Sequence, residues 1–248
     1  VAGYFLSKGK HVLCEKPLTI HTSEAEALVR LAEASAVRLV MASKFRFVSD
    51  VIEAKSIIAS GALGRIALYE NSFCSHVEMQ DRWNADPRVA GGGVLIDNGS
   101  HAVDIVRYLL GPITAIKVER CVPRQQLEVE DSVRVHVRTC DGAIGAMDLS
   151  WSLDKKADDY IRVYGTTGTL AIGWQGSGYW TQGQPQRIEF GAGYDKRSAH
   201  QRQLCNFIAA IAGAEQPLVL PCAAVASVRA VEAGYASMDG DSWLAVAP

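Results

Sequence analysis

The stretch HVLCEKPL, His11–Leu18, predicts a short buried strand that ends at a charged pair and a proline. The pattern predicts the end of a helix before it, over residues 1–7, and another helix after it. A second short apolar run at residues 38–42 predicts another buried strand. The order helix, strand, helix, strand is typical of a parallel sheet with crossover helices. Lys16 would then follow the end of a parallel strand, a good position for chemistry.

The rest of the chain has a different pattern. A helix, a strand, a loop and a long helix over residues 94–110 come first, and Gly111-Pro112 closes that helix. Several strand-like runs follow, and Asp141-Gly142 marks a hairpin turn between two of them. Together they predict an antiparallel sheet built in one block. Two helices are expected near residues 199–212 and 221–238.

Composition excludes some classes of protein. The formal net charge is -2 and acids and bases are interspersed, so the basic face that nucleic acid requires is missing. The apolar stretches are too short for a membrane span. Six cysteines without a C-x-x-C pair disfavour a zinc ribbon and suit a reducing compartment such as the cytoplasm.

A second informative stretch is GGGVLIDNGSHAVD, Gly91–Asp104. On a helix, residues four apart share a face, so Asp97 and His101 would project together, with Asp104 along the same edge. Gly99 has no side chain, so another group could approach the helix closely there. The glycine triplet would let the backbone amides at the start of the helix face a ligand. A histidine beside a carboxylate is a usual proton acceptor near neutral pH.

Simpler explanations exist for each residue alone. A single histidine on a helix is more often structural, and a single lysine is more often a solvated surface group. A metal-dependent enzyme using His76, Glu78, Asp97 and His101 is a further alternative, although the first two do not have helical ligand spacing. We therefore expect no metal site. The combination of Lys16 with the second stretch is harder to attribute to chance.

The two motifs together resemble the Gfo/Idh/MocA family of NAD(P)-dependent oxidoreductases. The similar segments are EKP after a hydrophobic strand and D-x-G-x-H-x-x-D after a glycine triplet. Weaker similarities cover nearly the whole chain and include Phe45-Arg46-Phe47, Gly61–Gly64 and Gly165–Leu170.

The resemblance implies an α/β fold in two parts. Residues 1–46 would be the C-terminal remnant of a dinucleotide-binding Rossmann domain. Residues 47–248 would be a substrate-binding and oligomerisation domain of the α+β type, with a large, mainly antiparallel sheet. The expected partners are a small-molecule substrate, a sugar or polyol, and further copies of the chain bound through that sheet.

The reaction implied by the resemblance is hydride transfer between a nicotinamide cofactor, NAD or NADP, and a secondary alcohol of a sugar or cyclitol. Lys16 would hydrogen-bond the reacting oxygen, and His101 would be the general base. Asp97 would orient the substrate or the histidine. Glu15 and Pro17, with Lys16, would shape the nicotinamide pocket.

Further candidates lie beside these residues. Lys44 and Arg46 follow a strand end and would face cofactor or substrate, or else form surface ion pairs. Trp83 lies in the loop before the glycines, where it would line the substrate pocket or stay solvated. The predicted substrate-binding set is Lys16, Arg46, Trp83, Asp97 and His101.

Aromatic residues near the predicted sheet have a less specific meaning. Tyr160 is at most a weak candidate for the site. Trp174, Tyr179 and Trp180 lie in a glycine-rich stretch and would bind a sugar face or, as we favour, fill a core or an interface.

The sequence departs from the family in one respect. No G-x-G-x-x-G follows an opening strand, and no acidic ribose-binding residue comes after it. We therefore expect the chain to be a fragment of a longer oxidoreductase. The alternative is a non-catalytic binding or assembly protein derived from the same fold.

Overall fold

The computed structural model describes residues 1–247, and in it the helix–strand–helix–strand prediction is confirmed. Helix α1 (Ala2–Ser7) precedes strand β1 (Val12–Glu15), and helix α2 (Thr22–Ala34) precedes strand β2 (Leu39–Ala42). The two strands pair in parallel. All four residues of β2 are buried, as expected for a parallel strand covered on both faces.

The remaining elements include a second, larger sheet and the helices around it. A 3-10 helix (Lys44–Phe47) follows β2, and a second one (Trp83–Ala85) lies in the loop before α4. The helices are α3 (Ser49–Ala59), α4 (Pro87–Ala90), α5 (Val94–Leu110), α6 (Lys196–Ile211) and α7 (Pro221–Gly240). The strands are β3 (Ile66–Cys74), β4 (Ile113–Arg120), β5 (Ser132–Thr139), β6 (Ile144–Ser150), β7 (Asp159–Gly165), β8 (Gly168–Gly173), β9 (Ser177–Thr181), β10 (Gln184–Phe190) and β11 (Leu244–Ala245).

Nine strands form one sheet in the order β10-β9-β8-β7-β3-β6-β5-β4-β11. The prediction of a mainly antiparallel sheet is confirmed, with one exception. Strand β3 lies in the middle, antiparallel to β7 and parallel to β6. Strands β9 and β10 were not predicted, because Gly178 interrupts the pattern of β9 and Pro185 that of β10. An added Cβ at Gly178 would lie only 2.3 Å from the Arg187 side chain of the neighbouring strand.

Helices α5 and α7 cover one face of this sheet. On β5 the side chains of Val133, Val135 and Val137 are buried, whereas Arg134 and Arg138 between and beyond them are exposed. Period-two alternation therefore buries one face against the helices and leaves the other open. No helix within residues 1–247 is long and apolar enough to cross a membrane.

A buried ion pair joins the 3-10 helix after β2 to α5. Arg46 donates from Nε and one terminal nitrogen to the two carboxylate oxygens of Asp104, at 2.8 and 2.7 Å. Ser227 of α7 donates to the same carboxylate at 3.2 Å. Both members of the pair are almost fully buried, so each depends on the other for charge compensation.

Removing one charge of this pair should destabilise the fold. We expect Asp104→Asn to lower the free energy of unfolding by about 3 kcal/mol, because the Arg46 charge would stay buried without a carboxylate. Urea denaturation measures this change. Asp154→Asn is the matched control: its pair with Lys156 is exposed, so the loss should be below about 1 kcal/mol. Equal losses in the two variants would show that Asp104 is not a structural residue.

Candidate active site

The side chain of Lys16 connects the parallel sheet to helix α5. Its ammonium donates to Asp97 Oδ1 at 2.5 Å and to the backbone carbonyl of Asp97 at 3.0 Å. An ammonium has three N–H donors, so one of them remains for a ligand. The Lys16 side chain is only 15% exposed, so most of it is shielded from solvent. We call the region around Lys16, Asp97 and His101 the cleft.

Asp97 therefore pairs with Lys16, and no hydrogen bond joins it to His101. His101 lies one helical turn further along α5, as the sequence predicts. Its ring makes an edge contact with the ring of Phe45, with 5.1 Å between the centroids. Within residues 1–247, neither ring nitrogen of His101 has a hydrogen-bond partner. A ring nitrogen can therefore accept a proton from a ligand.

The surroundings of His101 favour its neutral form. Burial lowers the pKa of the imidazole well below its usual value, and the positive charges of Lys16 and Lys44, together with His200, lower it further. A neutral imidazole can take up a proton at neutral pH, whereas an imidazolium cannot.

Helix α5 begins at a buried carboxylate. Glu130 accepts hydrogen bonds from the backbone amides of Gly93 and Leu95, both at 3.0 Å, and from the Tyr235 hydroxyl at 2.8 Å. An added Cβ at Gly93 would lie 2.1 Å from the Glu130 carbonyl oxygen. The prediction that the glycine triplet presents amides to a ligand is therefore wrong, because a side chain of the protein binds them.

The other glycine of the motif has a packing role. An added Cβ at Gly99 would lie 3.1 Å from the Leu95 side chain and 3.2 Å from the Leu149 side chain of β6. The close approach that Gly99 permits is thus that of the helix to the sheet, and not that of a ligand.

Two of the predicted residues bind each other. The carboxylate of Asp104 accepts hydrogen bonds from Arg46, so it is already paired inside the protein. Arg46 is 5% exposed, and its third nitrogen lies 3.4 Å from the Leu218 carbonyl oxygen. Arg46 was predicted to bind substrate. The structure corrects this prediction, because the guanidinium is already occupied inside the protein.

Trp83 lies on the short 3-10 helix and its side chain is exposed. It lines a surface cavity of about 430 Å³ together with residues 80–82, 85–88 and 126–128. Within residues 1–247, no hydrogen bond or ring contact joins Trp83 to Lys16, Asp97 or His101. Its substrate contact remains a prediction.

An aromatic cluster packs beneath His101. Phe45 stacks with Tyr194 at a centroid distance of 5.2 Å, and Tyr160 lies 4.4 Å from Trp174. Tyr160 is 1% exposed and is therefore part of the core. Tyr194 and His200 were not predicted, because they lie about 84 and 90 residues beyond the end of α5 and belong to no local motif.

The carboxyl edge of the parallel strands has groups that fit a nicotinamide nucleotide. Glu15 ends β1 with an exposed carboxylate, Lys16 has a spare N–H, and Pro17 follows. Open parallel sheets bind nucleotides outside the carboxyl ends of their strands. Within residues 1–247, no three histidine, cysteine or acidic side chains gather closely enough to hold a metal ion.

Two protein-family models match the chain. Residues 1–43 match the oxidoreductase family with an NAD-binding Rossmann fold, and residues 51–171 match the GFO/IDH/MocA C-terminal domain. Levoglucosan dehydrogenase of Pseudarthrobacter phenanthrenivorans is 27% identical over 67% of this chain and 50% of its own length. The scyllo-inositol 2-dehydrogenase (NADP(+)) of Bacillus subtilis is 33% identical over 51% of this chain and 35% of its own length.

A solved structure of a levoglucosan dehydrogenase, in complex with NADH and levoglucosan, has the same fold. It superposes with a TM-score of 0.91 at 20% identity and covers 100% of this chain and 76% of that one. The chain matches about half the length, or less, of these curated relatives.

The lowered pKa of His101 predicts a titration at unusually acidic pH. The ring should stay neutral as the pH falls from about 8 past its ordinary value of about 6.5, and take up its proton only below that. Nuclear magnetic resonance of the histidine ring protons measures this, and His101→Asn identifies the signal by its loss. A His101 signal that titrates at or above pH 6.5 would contradict the electrostatic description of the cleft.

Proposed function

The chain belongs to the Gfo/Idh/MocA family, and we propose that it forms the substrate side of a dehydrogenase that transfers a hydride between NAD or NADP and a secondary alcohol of a sugar or cyclitol. One observation carries this proposal. Asp97 of α5 binds the Lys16 ammonium and leaves one N–H of the lysine free, and His101, whose surroundings favour the neutral ring, lies on the same helix. The matched relatives include a sugar dehydrogenase and a cyclitol dehydrogenase.

In this proposal the nicotinamide supplies the hydride acceptor for oxidation, or the hydride donor for reduction. Glu15, Lys16 and Pro17 would hold its reactive end against the substrate. Residues 1–46 would belong to the dinucleotide-binding domain and residues 47–248 to the substrate-binding domain. The matches of the two family models, to residues 1–43 and 51–171, support a boundary in this region.

The residues of the cleft would handle the proton of the reaction. In alcohol oxidation, a ring nitrogen of His101 takes the hydroxyl proton while the remaining N–H of Lys16 donates to the same oxygen. The ammonium stabilises the negative charge that develops on that oxygen. Asp97 fixes the ammonium in position. In carbonyl reduction, His101 returns the proton to the oxygen. Trp83 would add a contact to the substrate from the neighbouring loop.

The open face of the large sheet supports a second part of the proposal, that copies of the chain associate there. Leu68 of β3 lies opposite Ile144 of β6 and opposite Tyr164 of β7, and the Leu68 and Ile144 side chains are about half exposed. Such an apolar band on an otherwise polar face is typical of an association surface.

Disrupting this band should separate the copies. We expect the wild-type protein to have a multiple of the monomer mass, and Ile144→Lys to shift it toward the monomer, because a charge would be buried in the apolar band. Multi-angle light scattering measures both masses. Val122→Lys, at an 84% exposed position off the strands, is the control. A monomeric wild-type protein would contradict the proposed interface.

The six cysteines of the chain are all free thiols. They support the proposal that the protein works in a reducing compartment such as the cytoplasm. Cell fractionation that places the protein outside the cell would contradict it.

The catalytic proposal predicts a large loss of activity in two variants. In the protein expressed from its complete reading frame, Lys16→Met and His101→Asn should each lower kcat by about 10²- to 10⁴-fold, because each removes a group that acts on the reacting oxygen. The measurement is the change in NAD(P)H absorbance with a panel of sugars and cyclitols.

Exposed His76 provides the matched control. His76→Asn should keep wild-type activity, and a chelator should have no effect. Unchanged turnover in His101→Asn would instead favour the alternative of a binding or assembly protein. Circular dichroism of each variant confirms that a loss of activity is not a loss of fold.

A further inference from the structure

A second cation lies in the cleft beside the Lys16–Asp97 pair. Lys44 begins the 3-10 helix directly after β2, and β1 and β2 end in register, with Glu15 opposite Ala42. Lys16 and Lys44 therefore leave the same edge of the parallel sheet. The ammonium of Lys44 lies 5.3 Å from the ring centroid of Phe45 and 5.8 Å from that of Tyr194.

Phe45 links this cation to the candidate base. The same ring that lies under the Lys44 ammonium makes the edge contact with His101. A ligand group bound by Lys44 would thus lie across one aromatic ring from the candidate base. Position therefore ties Lys44 to the substrate rather than to the distant parts of a nucleotide.

The structure gives Lys44 no polar partner of its own. Within residues 1–247, its ammonium makes no hydrogen bond and no ion pair. Asp97 is already bound to Lys16, and the Glu15 carboxylate accepts only from the adjacent backbone amide. Aromatic faces attract a cation, but they do not replace the hydrogen bonds that an ammonium loses on leaving water.

The pKa of Lys44 agrees with the absence of a polar partner. Burial lowers the pKa of Lys44, and the nearby charges of Glu15 and Asp97 raise it, yet the net direction is downward. The charges of the two carboxylates therefore do not fully offset the effect of partial burial on this pKa. A carboxylate in direct contact would do so.

We propose that Lys44 binds a carboxylate of the substrate, which is then a sugar acid or polyol acid such as an aldonate or a uronate. This inference rests on the proposed dehydrogenase function. A single lysine suits a singly charged carboxylate better than a phosphate, which usually gathers several donors. The amides at the start of α5, which would be the nearest such donors, are taken by Glu130.

Paired substrates test the inference. The complete protein is assayed with a neutral hexose or hexitol and with the corresponding hexuronate or hexonate. We expect the wild-type kcat/KM to favour the acid by about 10-fold or more, as a charge-assisted hydrogen bond would give. In Lys44→Met, which keeps the apolar stem, kcat/KM for the acid should fall by about 10- to 100-fold, and that for the neutral compound should stay within about 3-fold.

Controls separate this inference from the function on which it rests. Lys156→Met removes an exposed lysine and should leave both substrates unaffected. Calorimetric binding of the acid to His101→Asn, with and without Lys44→Met, tests recognition without turnover. A wild-type preference for neutral compounds, or an equal loss for both classes, would overturn the role of Lys44 alone. No NAD(P)-dependent turnover of either class would overturn the proposed function.

Discussion

The position of helix α5 depends on the buried Glu130 carboxylate. Three donors converge on one of its oxygens: the amide of Gly93 just before α5, the amide of Leu95 in its first turn, and the hydroxyl of Tyr235 in α7. Because these amides have no partner inside the helix, their bonds to Glu130 decide where the helix begins. Everything that α5 presents to the cleft is placed from this point. A negative charge at the helix N-terminus is also favoured by the helix dipole.

From that fixed start, α5 uses its acidic residues for two different tasks. Asp97 holds a lysine that follows β1, and Asp104 holds an arginine that follows β2. Two ion pairs thus set the helix against the parallel strands. The arginine pair is bidentate and closed, whereas the lysine keeps a free donor. The planar guanidinium suits structural pairing, and the ammonium on its flexible stem suits contact with a changing ligand.

The sequence predicts much of this arrangement, because its signals are local. Helix α5 has the predicted bounds, since glycines flank it on both sides. Lys16, Asp97 and His101 were singled out from residue type and spacing. The partners were not predictable, because pairing depends on three-dimensional packing. Spacing along α5 suggested that Asp97 serves His101, but the nearest cation comes from 81 residues earlier in the chain. The same limit explains why Arg46 was assigned to substrate.

The central place of β3 has a consequence for how the molecule folds. Its partners β6 and β7 lie about 70 to 100 residues further along the chain. During synthesis, both edges of β3 therefore stay unpaired until β6 has been made, and one edge stays open until β7 follows. Contacts of such long range slow folding and leave strand edges open to other chains. Helix α5, made in that interval, lacks the β6 strand against which Gly99 packs. The cleft thus comes together late, when the middle of the sheet closes.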